Sequence, residues 1–316
     1  MKIFDAIAAE PGPFFIVGSN KNAGKTTLLN RLNKELTQRL STPPGLATIG
    51  RDGETEDIIW RHPKPPVFLN TGNCFVTVEP ELKKIVGEAE AVETLPFRTA
   101  LGPVVVGRAI QSTQVELIGP DTNQQLWQAI DHLHACGATH QLIDGAYDRR
   151  TQVASHDGAR LALVLSADIA KDEQQAADWL TRQIEWFALP PAPPELRPTD
   201  EKPLGLHDLN GQALFCSGPL TDTLAEQHFD RLAQLPLIIE DATKVFLSPL
   251  WWRRLKRKSP GVYVLHRQRL LLIASNPKGL LREFDPQTFF DTLKQAAPHL
   301  PLIDVEAGLE YQPPAS

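Results

Sequence analysis

The sequence predicts an α/β chain, with a mostly parallel sheet flanked by helices and a second α/β block beyond a proline-rich linker. Three observations carry that prediction. Short apolar runs of strand length alternate with segments whose apolar residues recur at helical spacing. A loop bearing glycine and lysine stands between the first such run and the first such stripe, and strand-then-helix alternation resumes after residue 203.

In chain order, Phe14–Gly18 reads as a short buried strand, and Leu29, Leu32, Leu36 and Leu40 stripe one face of the helix that follows. Further strands are predicted at Leu46–Ile49, Val104–Gly107, Gln114–Ile118, His140–Asp144 and Ala162–Leu165. Each is a brief segment with apolar residues at its centre or throughout, of strand length and consistent with a sheet covered on both faces. Helices are predicted over Thr122–Cys136, which Asp121–Thr122–Asn123 can cap and Gly137 can stop, and over Lys171–Phe187. Proline is in excess, at 27 residues, and six of them fall in Pro190–Pro203, where the lost backbone donors disfavour helix or central strand. The expected organisation is therefore a domain over 1–189, a linker over 190–203 and a C-terminal block over 204–316. That block reads as strand Ala213–Cys216, a helix over Leu220–Ala233, and strands Leu237–Ile239, Val262–Leu265 and Leu270–Ala274. A helix over Pro286–Ala297, announced by Asp285 and Pro286, and strand Leu302–Val305 complete it. The two blocks could share one sheet across the linker.

Composition narrows the function classes. With 42% apolar and 22% charged residues the chain belongs among ordinary folded proteins, which excludes collagenous and wholly disordered classes. Lys and Arg number 32 against 38 Asp and Glu, and the net charge of −6 gives no global attraction to nucleic acid or anionic lipid. Asp5 and Glu10 interrupt the apolar N-terminal region, and nowhere do apolar residues run long enough to span a bilayer. A cytoplasmic protein without a membrane partner is expected. Cys74, Cys136 and Cys216 form no C-x-x-C pair and have no histidine at ligand spacing, so neither a disulfide framework nor a zinc site is expected.

The most specific feature is Gly18, Ser19, Asn20, Lys21, Asn22, Ala23, Gly24, Lys25, Thr26 and Thr27, which follow a buried strand and open an amphipathic helix, where a P-loop belongs. Gly24–Lys25–Thr26 fits G-K-[ST], while Ser19 takes the place of the leading glycine and Gly18 stands one residue earlier. Backbone N–H groups of such a loop converge on a polyphosphate, Lys25 reaches its outer oxygens, and Thr26 can ligate Mg²⁺. A glycine turn capping an ordinary helix is the competing reading. His140–Asp144 ends a hydrophobic strand with an acid, as a Walker B segment does, and makes Asp144 the candidate carboxylate beside that Mg²⁺. A strand-end turn before Gly145 would use the same aspartate.

Acids crowd the segment after Leu46–Ile49, where open α/β sheets place their ligands. Asp52, Glu54 and Asp57 could bind Mg²⁺ through water, activate a nucleophile, contact a second substrate or simply be solvated. Asp148–Arg149–Arg150 could bring cations to phosphates or decorate a loop. Trp251–Lys258 holds five cations beside two tryptophans. A helix there would bury Trp251 and Leu255 at i, i+4 and leave the cations solvated, a reading stronger than a nucleic-acid patch, and an acidic partner protein fits the same patch equally well. Gly218–Asp222 reads as a capped strand-to-helix turn, and Ala274–Gly279 lacks the N-K-x-D order that would assign a guanine base.

Together these segments resemble one family. G-S-N-K-N-A-G-K-T-T, T-I-G-R-D-G-E from Thr48, R-H-P-K-P-P-V-F ending at Phe68, V-E-L-I-G-P from Val115, L-I-D-G-A-Y-D-R-R from Leu142, S-G-P-L-T-D from Ser217, and I-A-S-N-P with F-D-P-Q-T-F near the C-terminus carry the resemblance. It is to the P-loop proteins encoded beside adenosylcobalamin-dependent lysine 5,6-aminomutase and ornithine 4,5-aminomutase, which are implicated in keeping those enzymes active. The N-K-N-x-G-K-T-T core is also similar to dethiobiotin synthetase and to the molybdopterin-guanine-dinucleotide biosynthesis adaptor. What the resemblance implies is a Mg²⁺-dependent NTPase using ATP or GTP, with Lys25 on phosphate, Thr26 and Asp144 at the metal, and an aminomutase as protein partner; apart from the resemblance, an acid such as Asp52 is the candidate for ordering the attacking water. The resemblance implies two alternatives as well, an ATP-dependent ligase or kinase acting on a small molecule and a nucleotide-binding adaptor with little hydrolysis. The broader class often carries a signature lysine five residues before the P-loop lysine, serving a homodimer. Here Asn20 holds that place and Lys21 follows it.

Overall fold

The structure is a computed structural model and describes residues 3–49, 66–145, 157–200 and 202–314. These belong to two compact units, one drawn from Met1–Arg149, Leu161–Ala176 and Leu271–Ser316, the other from Arg150–Arg160 and Ala177–Leu270.

The first unit is built on a ten-stranded sheet. Its order from one edge to the other is Glu310–Tyr311, Leu302–Asp304, Arg269–Asn276, Arg160–Ser166, Gly12–Gly18, His140–Asp144, Gly45–Thr48, Cys74–Val78, Gly102–Ala109 and Ala89–Thr99. His140–Asp144 runs parallel to Gly12–Gly18 on one side and to Gly45–Thr48 on the other, so that Ile16 and Thr48 both stand in register with Asp144. The antiparallel pairs described lie at the margins, where Gly102–Ala109 pairs with both of its neighbours and Leu302–Asp304 with Glu310–Tyr311. The sheet is mostly parallel and flanked by helices. Against one face Leu28, Leu29, Leu32 and Leu36 of the Lys25–Thr37 helix and Ile3, Phe4 and Ile7 of the Ile3–Ala8 helix join Phe14, Ile16, Leu142 and Val164 in one buried cluster. Helix Asn123–Ala135 lies against other strand residues, with Trp127 edge-on to Phe15 at 5.9 Å. Coverage on both sides is why the central strands are continuously apolar rather than alternating.

The second unit has a four-stranded sheet in the order Gly205–Leu209, Ala213–Ser217, Leu237–Ile239, Val262–Val264, parallel apart from its first strand. Its core gathers Leu214, Cys216, Leu237, Ile239, Trp252 and Leu255.

Several expectations need correction. Residues 190–203 do not separate the units; they lie within the second. Prolines lack N–H groups, but the Pro190 carbonyl accepts from Val264 N–H at 3.0 Å and the Ala192 N–H donates to Val264 O at 2.7 Å, so the segment pairs with a strand edge. Residues 269–311, assigned from sequence to the C-terminal block, contribute three strands to the first sheet. The Gln114–Ile118 run shortens to Thr113–Val115 and pairs with Val67–Leu69 outside the main sheet. The helix expected over Leu220–Ala233 breaks into Asp222–Gln227 and Phe229–Leu232, preceded by a two-residue strand. Leu40 lies beyond its helix, which ends at Thr37, yet still packs on the core. Among the described residues no helix is long and apolar enough to cross a membrane.

Candidate functional site

The parallel strands of the first unit bring their carboxyl ends to one edge, and that edge gathers the residues of interest. Gly12–Gly18 delivers the loop, whose Asn22 (φ 60°) and Gly24 (φ 100°) both take left-handed conformations. Turns of this kind point successive N–H groups inward and form an anion-binding concavity. Gly18 is needed for closeness, since a Cβ there would stand 3.1 Å from Ala23 Cβ and 3.2 Å from Lys25 Cδ. The Lys25 stem therefore folds back along the strand end.

Gly24 serves as N-cap without any side-chain cap, and the first helical amide bonded to the loop is Leu28 N–H, to Gly24 O at 3.0 Å. The amides of Lys25, Thr26 and Thr27 have no backbone acceptor among the described residues. An uncapped helix N-terminus with free amides attracts anions. Lys25 itself is only 9% exposed, and among the described residues it makes no hydrogen bond or ion pair.

Asp144 is buried at the end of the neighbouring strand, and its Oδ2 accepts from Thr26 Oγ1 at 3.1 Å. Its backbone is fixed: the carbonyl accepts from Thr48 Oγ1 at 3.0 Å, and Gly145 N–H donates to Ile16 O at 2.9 Å. The carboxylate is thereby aimed at the helix N-terminus. Gly119, in the V-E-L-I-G-P segment, presses on the same edge, because a Cβ there would meet Thr48 O at 1.6 Å.

Three residues outside the predicted loop, Ser166, Asn276 and Asp168, were missed by the sequence reading, and they act together with Ser19 of the loop itself. Ser19 is fully buried and holds the loop to the strand on its other side: its N–H donates to Val164 O at 2.7 Å and its Oγ accepts from Ser166 N–H at 3.2 Å. Ser166 Oγ in turn donates to Asn20 Oδ1 at 2.7 Å. Asn276, from the segment in which no base-reading order was found, donates through Nδ2 to Ala23 O at 3.0 Å and accepts from Lys278 N–H at 3.2 Å. Asp168 then pins the next turn by accepting from the N–H groups of Leu280, Leu281 and Arg282 at 2.6, 2.9 and 2.9 Å. Of the remaining candidates, Asp52, Glu54, Asp57 and Asp148–Arg149–Arg150 lie outside the described residues.

Mg²⁺ fits the donors present. It takes oxygen ligands, keeps several waters and relies on one or two protein groups plus substrate phosphates, which a threonine hydroxyl beside a carboxylate can satisfy. No cluster of three or more His, Cys, Asp or Glu side chains gathers among the described residues, so a metal held wholly by protein is not indicated there.

In the second unit the cationic segment is the helix Pro249–Lys258, capped by Ser248 Oγ, which accepts from Trp251 N–H at 3.4 Å. Here the phase differs from expectation: Trp252, not Trp251, is buried with Leu255. Trp252 packs edge-on to Trp186 at 6.1 Å, and its indole N–H donates to Glu185 Oε2 at 2.6 Å. Burial acts to raise the Glu185 pKa, but the bonds from Lys256 and Trp252 outweigh it and hold the carboxyl below its ordinary value. Arg254 lies over both Trp251 and Phe229, at 4.4 and 4.6 Å from the ring centroids, while Arg253, Arg257 and Lys258 are exposed.

No family model matches the chain, and neither a curated protein nor a solved structure does.

Proposed function

We propose that this chain is a Mg²⁺-dependent P-loop NTPase that couples hydrolysis of ATP or GTP to a conformational change in a protein partner, the partner implied by the sequence resemblance being a cobalamin-dependent aminomutase. The observation that carries the reading is Lys25: a lysine only 9% exposed, at a helix N-terminus whose first amides have no backbone acceptor among the described residues, and itself without a hydrogen-bond or ion-pair partner there. A buried charge without a partner is costly. A polyphosphate supplies the missing acceptor, and an uncapped helix N-terminus favours the same ligand.

In this reading the loop amides and Lys25 hold the phosphates, and Thr26 and Asp144 hold Mg²⁺. Bound Mg²⁺ would neutralise charge on the phosphoryl group being transferred. Lys25 and the amides do the same by preorganisation, since their direction is set before any ligand arrives. Ser19, Ser166 and Asn276 keep the loop in that form. Asp52 is assigned the ordering of the attacking water, on the sequence pattern alone. The cationic helix Pro249–Lys258 is assigned to partner docking because it carries five cations and no acid, and among the described residues only Lys256 forms an ion pair, to Glu185 at 2.7 Å.

The test is calorimetric titration with Mg²⁺-ATP and Mg²⁺-GTP, followed by phosphate release with and without purified aminomutase. Binding is expected, with turnover raised by the aminomutase. Asp144→Asn should still bind nucleotide but lose Mg²⁺-dependent turnover by roughly a hundredfold or more. Turnover raised only by small carboxylates or amines would replace this reading with a ligase or kinase. Binding of neither nucleotide would overturn it.

A further inference from the structure

The cationic helix of the second unit is joined to helix Glu173–Phe187 through Glu185, whose Oε2 accepts from Trp252 Nε1 at 2.6 Å and from Lys256 Nζ at 2.7 Å. Three residues before Glu185 stands Arg182, and three residues before Lys256 stands Arg253. One turn back along each helix, two guanidiniums therefore take the places that an acid and a base fill at the Glu185–Lys256 pair. Neither arginine enters an ion pair among the described residues, and Arg253 Nε donates at 3.2 Å to the Pro249 carbonyl of its own helix. Burial lowers the Arg182 pKa from its ordinary value and the like charge of Arg253 lowers it further, against the opposing pull of Asp178 and Glu185. From Arg253 the charge continues along one helix face, since Leu250, Arg253, Arg254 and Arg257 recur at i, i+3, i+4 and i+7, and Leu250 is 58% exposed at the start of that face.

We propose that this face takes an acidic segment of a protein partner, with one carboxylate bridging Arg182 and Arg253, a further acid meeting Arg257, and an apolar side chain resting on Leu250. The inference rests on the assignment of helix Pro249–Lys258 to partner docking and names what the partner must present there. A carboxylate set between two guanidiniums relieves their repulsion and accepts from both, and charge-assisted bonds of that kind are the strong ones. Five cations without an acid on this helix, in a chain whose net charge is −6, concentrate positive potential on one face. Nucleic acid fits less well, because bases need an open aromatic platform, whereas Trp252 is buried and Trp251 lies under Arg254 and edge-on to Phe229. A bilayer fits less well too, because an interfacial helix inserts its apolar stripe, and here Trp252 and Leu255 are committed to the core of the unit.

The test uses the full chain with a fluorescent peptide of glutamate and leucine, and the same peptide with lysine in place of glutamate, read by polarisation. The acidic peptide should bind, more weakly as salt rises, and the basic one should not. Arg182→Gln and Arg253→Gln should each weaken binding roughly fivefold or more, and the double variant should lose less than the product of the two single losses, because both arginines hold one carboxylate. Lys171→Gln, an equal charge change at an exposed lysine of the first unit, should leave binding unchanged. Neither arginine variant should lower Tm without peptide, since each removes a like-charge neighbour. Purified aminomutase should compete with the peptide, and its stimulation of phosphate release should fall in both arginine variants while turnover without partner is unchanged. Peptide binding unmoved by either substitution, a fall in Tm that accompanies the lost binding, or preferential binding of duplex DNA or phosphatidylserine vesicles through the same arginines would overturn the proposal. Nucleotide binding is measured on the same samples: peptide binding at this face without nucleotide binding would strike the NTPase reading and leave the acidic-segment site standing, and the reverse would strike only the site.

Discussion

Replacing Lys25 with methionine should change stability in opposite directions with and without nucleotide. The residue is 9% exposed and bonded to nothing among the described residues, so the ligand-free fold buries most of a lysine with no compensating partner among them. A fully buried lone charge costs several kcal/mol; with part of its hydration kept, about 1–2 kcal/mol is a fair expectation. Methionine preserves the stem that packs along Gly18 and removes that cost. For a cooperative unit of roughly 200 residues, 1 kcal/mol corresponds to about 2–4 °C in Tm, so the ligand-free variant should melt about 2–8 °C higher. The same substitution deletes charge-assisted hydrogen bonds to phosphate worth about 1.5–3 kcal/mol each, which weakens nucleotide binding by roughly 10- to 150-fold. At a nucleotide concentration near a hundred times the wild-type Kd, the wild type gains about 2.7 kcal/mol by linkage and the variant little. Thermal melts of both proteins over a nucleotide titration should therefore cross. A variant that is less stable than wild type without ligand, or that binds nucleotide equally well, refutes the argument that Lys25 waits for an anion.

Other consequences are as direct. Gly24→Ala forces an L side chain to φ 100° and sets its Cβ 2.9 Å from Asn276 Nδ2, so the urea midpoint should fall by the equivalent of about 1–2 kcal/mol or more. Asn276→Ala relieves the crowding but not the backbone strain; the double variant should lose less than the sum of the single losses, and strict additivity would sink the crowding argument. Asp241 is fully buried, and burial drives its pKa above the ordinary 3.8, offset only in part by Thr243, Lys244 and Gln268. The folded form therefore keeps this proton to higher pH than the unfolded chain, and stability declines as pH rises from 3.8 through the raised folded value. Asp241→Asn, which retains an acceptor for Thr243, should flatten that decline and be the more stable form at pH near 7; superimposable pH–stability profiles would contradict it.

Local patterns made the centre of the site legible. Strand, loop and helix are contiguous over residues 12–37, and His140–Asp144 sets Leu142 and Ile143 directly before an acid, observed with the bounds that its sequence predicts. Ser166 and Asn276 left no comparable trace. Each is an ordinary polar residue at a strand end, and what makes it matter is a partner 146 or 253 positions away, Asn20 and Ala23 respectively. Strand Ala89–Thr99 escaped for another reason: it is mostly exposed, contains Pro96, and its ladder shifts register between Thr94 and Arg98, which accommodates the missing donor. The phase of the cationic helix was misread because Trp251 and Trp252 are adjacent, and either one satisfies a helical spacing to Leu255. Glu185, offering an acceptor to the indole of Trp252, decides between them.

The first unit does not close in the order in which it is made. Its sheet places Arg269–Asn276 beside Arg160–Ser166, with about a hundred residues between them, and the Ala23 carbonyl is held by a side chain at position 276. On the ribosome the phosphate loop would emerge first and wait through nearly the whole of synthesis before the strand that steadies it arrives. Contacts so distant in sequence form slowly and late. A nascent chain arrested before Asn276 would therefore present the loop without its brace, and binding competence would appear as one of the last events of translation.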